Sequence, residues 1–148
     1  MNDRLPSLVY ADQYVSRILS DTKTIAMVGA SPKPARPSWQ VMEFLQSVGY
    51  RVIPVNPGLA GSDILGEQVY GNLAEVPEPF QMVDIFRQSS EVAAIVDDVL
   101  ALAPVRGIKT IWTQLNIRDD HAAGRATAAG LNVVMDRCPK IEYLRLFG

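Results

Sequence analysis

The sequence predicts a doubly wound, parallel α/β sheet in a single domain, and three observations carry that expectation. Five short apolar, β-rich runs recur along the chain. Amphipathic helical stretches separate most of them, the arrangement that covers both faces of a parallel sheet. The 148 residues, 48% hydrophobic and 20% charged, suit one core of ordinary domain size.

The elements follow in order. "DQYVSRILSD", 12 to 21, places Val15, Ile18 and Leu19 on one face and predicts a short helix over one end of the sheet. "TIAMV", 24 to 28, is the first strand. Ser38 is predicted to cap the helix "WQVMEFLQSVG", with Pro37 before the cap and Gly49 as the stop. "YRVIPV", 50 to 55, is the second strand, broken by "NPGLAG". Residues 58 to 80 read as irregular chain holding a short extended piece and one helical turn.

The third strand is "MVDIF", 82 to 86. "SSEVAAIVDDVLAL" is a helix capped by Ser89 or Ser90, with Val92, Ile95, Val96 and Val99 inward. "IKTIW", 108 to 112, is the fourth strand; "RDDHAAGRATAAG" is a helix ended by Gly130; "LNVVM", 131 to 135, is the fifth strand. The tail "CPKIEYLRLFG" reads as a turn or a short helix. Right-handed crossovers lead to an expected strand order of 3-2-1-4-5, with the loop at Gly29 facing the segment at Trp112.

The first loop, "VGASPKPARPS", carries the chemistry. A strand end meeting a helix start presents free backbone N–H groups and the positive end of the helix dipole, a site suited to phosphate. Gly29 and Ala30 keep the turn small; Ser31 and Ser38 offer hydroxyls; Lys33 and Arg36 offer charge; Pro32, Pro34 and Pro37 stiffen the loop. Familiar nucleotide signatures are missing. "GASPKP" has only the first glycine of G-x-G-x-x-G, and strand 2 ends in "PVNP" where a ribose-binding carboxylate is expected. The P-loop pattern G-x-x-x-x-G-K-[ST] is also missing.

Six segments in order, "VGASPKPARPS", "GYRVIPVNP", "ILGEQVYGNL", "VDIFR", "IWTQLNI" and "VVMDRCPKIE", resemble the small CoA-binding proteins of bacteria. These are single Rossmann-like domains related to the CoA-binding domain of succinyl-CoA synthetase alpha subunits. The matching segments lie between residues 28 and 142; residues 1–148 are expected to form one CoA-binding domain, and the resemblance implies coenzyme A, or an acyl-CoA, as ligand. It implies that Gly29, Ala30 and Ser31 line the diphosphate, assisted by Lys33, Arg36 and Ser38. Val55, Asn56 and Pro57 would flank the adenosine, Phe86 and Arg87 would border the site, and Trp112, Thr113 and Gln114 would lie nearer the pantetheine. Taken by themselves, Arg87 suits phosphate or a salt bridge, Trp112 a lid or the core, and Gln114 an amide-bearing ligand. The chain departs from the family at Asn116, where glycine is usual; asparagine tolerates left-handed backbone but adds a side chain.

Cys138, the one cysteine, follows the fifth strand in "MDRCP". It is read either as a small buried thiol or as the partner of CoA in a mixed disulfide, with Arg137 favouring the thiolate. His121, the one histidine, falls early in a helix, on a face expected to be solvated. No catalytic residue and no metal site is assigned, and the phosphorylated histidine of synthetases lies outside this kind of domain. The leading expectation is therefore a CoA-binding domain without catalysis of its own, serving sensing, buffering or an unidentified protein partner. The alternatives are a nucleotide-dependent oxidoreductase and a structural or interaction protein with a vestigial cleft.

The remaining composition excludes little else. A net charge of −2 and no long basic tract disfavour nucleic acid. A single cysteine fits a reducing compartment. The N-terminus, with Asp3, Pro6 and Asp12, does not read as a signal peptide, and no stretch approaches the roughly 20 apolar residues of a membrane span, so a cytoplasmic protein is expected. Oligomeric state is left open by the apolar tail "IEYLRLF".

Overall fold

In a computed structural model, which describes residues 8–148, the five apolar runs form one parallel sheet. The reading of the first seven residues lies outside the described residues. Helix α1 spans Asp12–Asp21, strand β1 Thr24–Val28, α2 Pro37–Ser47 and β2 Arg51–Val55. A two-stranded hairpin follows, β3 at Asp63–Ile64 and β4 at Glu67–Gln68. Then come β5 at Met82–Ile85, α3 at Ser89–Arg106, β6 at Thr110–Thr113, α4 at Asp120–Ala128, β7 at Asn132–Val134 and α5 at Pro139–Phe147. The C-terminal tail thus forms a helix of nine residues.

Alternation along the strands divides the core into two layers. Ala26, Val83, Ile85 and Ile111 meet Val92, Val96 and Val99 of α3 and Ala122 and Ala126 of α4. Ile25, Met27, Met82 and Trp112 meet Val15 and Leu19 of α1 and Val41, Met42 and Leu45 of α2. Each large side chain so buried contributes roughly 1.5–3 kcal/mol before entropy is counted. Helix α1 also closes the β7 edge: the Tyr14 hydroxyl donates to Val133 O at 3.1 Å and accepts from Val133 N at 2.9 Å.

The expected strand order is corrected. The sheet runs β2-β1-β5-β6-β7, so the strand at residues 82–85 lies beside β1 and not outside β2. The physical reason is that the outer edge of β2 is already occupied. Tyr70 forms a parallel bridge with Val55; Tyr70 N donates to Pro54 O at 3.1 Å, and Asn56 N donates to Tyr70 O at 2.9 Å. With that edge satisfied, the chain crosses back over β1. Connections diverge between β1 and β5, and that is where the carboxyl-end crevice of such a sheet opens. Gly29 accordingly faces Phe86 and Arg87, and Trp112 lies one strand further away.

Two helix starts also differ from expectation. Arg36 is the N-cap of α2, Pro37 occupies its first turn, and Ser38 lies inside the helix; no side chain caps it. Proline suits that first position because its missing N–H would have no partner there. In α3 the cap is Gln88, whose N–H donates to Glu91 Oε2 at 3.2 Å, and Ser89 Oγ instead accepts from Arg118 N at 2.8 Å. Helix α3 runs through Pro104 to Arg106, beyond the expected end at Leu102.

Candidate functional site

The carboxyl ends of β1, β2, β5 and β6 surround a two-part cleft. One cavity, about 500 Å³, lies on the α2 side and is lined by Gly29 to Ser31, Lys33, Arg36 to Ser38, Asn56, Phe86, Arg87, Gln114, Leu115 and Ile117. The other, about 370 Å³, lies on the α3 side and includes Val28, Gly29, Val55, Pro57, Gly71, Asn72, Leu73, Arg87, Glu91, Ala94, Ile95 and Asp98. Gly29 and Arg87 belong to both walls.

Gly29 is required by the fold before any ligand is considered. Its φ is +88°, and a Cβ there would lie 2.6 Å from Phe86 O and 2.9 Å from Arg87 Cδ. Its N–H donates to Val55 O at 3.0 Å, which leaves the first loop pinned between β2 and β5. Ala30 is buried and its carbonyl accepts from Asn56 Nδ2 at 2.9 Å. Ser31 Oγ accepts from Lys33 N at 3.2 Å, shaping the turn. Beyond it, Lys33 and Arg36 are exposed, and among the described residues neither side chain is in an ion pair. With α2 uncapped, its first N–H groups and these two cations face the same cavity.

Asn56 has both ends of its amide engaged. Besides the bond to Ala30, its Oδ1 accepts from Gly58 N at 3.0 Å. It therefore acts as a clip between the first and second loops. Arg87 pairs with Glu91 through two contacts, Nη2 to Oε1 at 2.7 Å and Nε to Oε2 at 3.2 Å. The hydrogen-bonded guanidinium holds the Glu91 carboxyl below its ordinary range.

At the end of β6 the site residues separate. Gln114 is 8% exposed, lines the α2-side cavity, and its Oε1 has no hydrogen-bond partner. A buried acceptor left without a partner costs stability unless a donor arrives. Trp112 and Thr113 are fully buried and line neither cavity. The Trp112 indole donates to Arg137 O at 2.9 Å, and Thr113 Oγ1 donates to Ile117 O at 2.6 Å while accepting from Asp136 N at 3.2 Å. These two side chains are core and loop supports, and the reading of Trp112 as a lid is set aside. Asn116 has φ +68°, and its N–H donates to Asp136 Oδ1 at 2.7 Å, so the left-handed backbone expected where the family has glycine is present.

Three other groups have clear positions. Cys138 is the N-cap of α5, 7% exposed, and lines neither cavity. His121 is exposed at the start of α4. Asp84 is fully buried in β5 with neither carboxylate oxygen hydrogen-bonded, and burial pushes its carboxyl well above the ordinary value. The wall contributed by Glu91, Ala94, Ile95 and Asp98 was missed in the sequence; its signal is the helical spacing i, i+3, i+4, i+7.

A five-stranded parallel sheet covered by helices, with its cleft at the β1–β5 divergence, defines a single domain of Rossmann-like type. Residues 23–144 match the family model described as "CoA binding domain", and the chain belongs to that family. CoA-related binding is thus the class of function. The chain is similar to the uncharacterized protein YneT of Bacillus subtilis, 32% identical over 130 residues, covering 87% of this chain and 91% of that protein. Two solved structures resemble it over nearly their whole length. A Thermus thermophilus protein, "cell-free ID.343", is 38% identical with a TM-score of 0.86, covering 93% of this chain and 100% of that one. A hypothetical protein from Pyrococcus horikoshii OT3 is 34% identical with a TM-score of 0.87, covering 100% of both chains. Among the described residues, no helix is long and apolar enough to cross a membrane.

Proposed function

We propose that this domain binds coenzyme A or an acyl-CoA and holds it without catalysing a reaction of its own. The observation that carries the reading is the junction of two chemically different cavities at Gly29 and Arg87. The α2 side has an uncapped helix start with Lys33 and Arg36, suited to a diphosphate. The α3 side has apolar walls at Val55, Ala94 and Ile95, suited to a nucleoside. The Gln114 oxygen suits an amide N–H, which pantetheine carries twice, and Phe86, Leu115 and Ile117 supply apolar contact beside it.

Residue roles follow. Gly29, Ala30 and Ser31 shape the diphosphate loop; Ser38 lies in the α2 turn beneath it; Val55 and Pro57 contact the nucleoside. Asn56 positions the loop through both ends of its amide, where a dinucleotide enzyme uses a ribose-binding carboxylate. His121 and Cys138 line neither cavity, and Asp84 is sealed inside the sheet, so none of these three is placed to act on a ligand in the cleft. Cys138 is 7% exposed and lines neither cavity, which counts against a mixed disulfide with CoA. Titration calorimetry of the reduced protein with CoA, acetyl-CoA, NAD and ATP tests the reading; saturable binding of CoA or acetyl-CoA alone supports it, and preferential NAD binding overturns it.

A further inference from the structure

The two halves of the cleft differ in charge as well as in shape. The α2-side wall holds three cations, Lys33, Arg36 and Arg87, and no carboxylate. The α3-side wall holds Arg87 with two carboxylates, Glu91 and Asp98. Arg87 is already held by Glu91 in a two-point pair, which leaves Asp98 in excess on that side. Asp98 is exposed, and among the described residues it forms no ion pair. The second loop brings no balancing charge, since residues 56–60 read Asn-Pro-Gly-Leu-Ala.

Along α3 the carboxylates bracket an apolar strip. Glu91, Ala94, Ile95 and Asp98 follow one face, and seven residues of helix separate the two acids by about 10 Å. That length matches an adenosine. Its base fits on Ala94 and Ile95, and its ribose hydroxyls and exocyclic amine are donors that carboxylates accept. A dianionic phosphate on that ribose meets net negative charge instead. The site as a whole is marked as a ligand site by a separate feature, the buried and unpartnered Gln114 oxygen in the adjoining cavity.

We propose that the α3-side cavity selects an adenosine whose 2′ and 3′ hydroxyls are both free, so that the pantetheinyl nucleotide lacking the 3′-phosphate, dephospho-CoA, is bound more tightly than CoA. This specificity rests on the reading of the cleft as a CoA-type site. Its size follows from Coulomb's law: a dianion brought to about 6 Å from one net negative charge in water loses about tenfold in affinity at low ionic strength.

The test is calorimetry at low salt with CoA and dephospho-CoA, which differ only in the 3′-phosphate, on the native chain and on Asp98→Asn. The expected result is dephospho-CoA bound about tenfold more tightly by the native chain, with the gap narrowing to about threefold or less in the variant and melting temperature unchanged. Equal or tighter binding of CoA by the native chain overturns the inference and leaves the CoA-type reading standing. An unchanged gap in Asp98→Asn also overturns it. Failure of both ligands to bind overturns the CoA-type reading itself.

Discussion

The Asn56 side chain reaches across the cleft and donates to the carbonyl of Ala30 at 2.9 Å, so the loop after β2 fixes the loop after β1. This contact gives Asn56 a mechanical role at the position where dinucleotide enzymes use a carboxylate on the ribose. Replacing it with Ala removes two hydrogen bonds, to Ala30 and Gly58. Asn56→Ala is expected to cost about 1–2 kcal/mol of stability by chemical denaturation. CoA affinity should fall about tenfold, because the diphosphate loop is no longer pre-ordered. A variant with native stability and native affinity would remove the clip from the account.

Gly29→Ala should destabilise the fold by about 3 kcal/mol or more, combining left-handed backbone strain with overpacking. The new methyl would meet the Phe86 carbonyl at 2.6 Å, and backbone cannot step aside as a flexible side chain can. Urea denaturation with and without CoA reads this directly. Near-native stability would mean that the β1–β5 junction is looser than these distances imply.

Arg36→Ala should weaken CoA binding about tenfold, the loss expected for one charge-assisted contact at an exposed site. Salt dependence of binding should shrink as well. The side chain has no ion pair among the described residues, so melting temperature should not move. Unchanged affinity would take Arg36 out of the site.

Asp84 links stability to pH. Its carboxyl is raised well above the ordinary value of 3.8 by burial, so the folded state holds a proton that the unfolded state releases. Between those two values the native state binds more protons, and stability falls as pH rises. Asp84→Asn keeps the shape without the ionisation. The variant is expected to be more stable than the native chain at pH 7, with the difference disappearing below the ordinary aspartate value of 3.8. Chemical denaturation across pH 3 to 8 measures it; a destabilised variant at pH 7 would show that the ionised carboxylate has a role in the fold.

Much of the fold was legible because burial imposes period. Val15, Ile18 and Leu19 announced α1, and the five strands fell within a residue or two of their runs. Strand order was not legible, because it depended on where Tyr70 pairs, and a single parallel bridge to Val55 has no sequence period. Pro37 was the better signal for the α2 start than Ser38, since proline fits the first helical position. At the site, the first loop was recognisable from its small residues and charges. Trp112 lies inside β6 and Gln114 one residue past its end, and only Gln114 reaches the cleft; an extended run through both would place them on the same face, and the strand end between them decides the difference. The α3 wall escaped notice because Ala94 and Ile95 look like ordinary core positions until β5 is placed beside β1.

Titration calorimetry of the reduced protein against CoA, acetyl-CoA, NAD and ATP reads whether the cleft at Gly29 and Arg87 receives a CoA-type ligand. One saturable site for CoA or acetyl-CoA, weakened by Arg36→Ala, is expected, with no comparable site for NAD or ATP. Tighter binding of NAD, or no saturable site for CoA or acetyl-CoA, would contradict it.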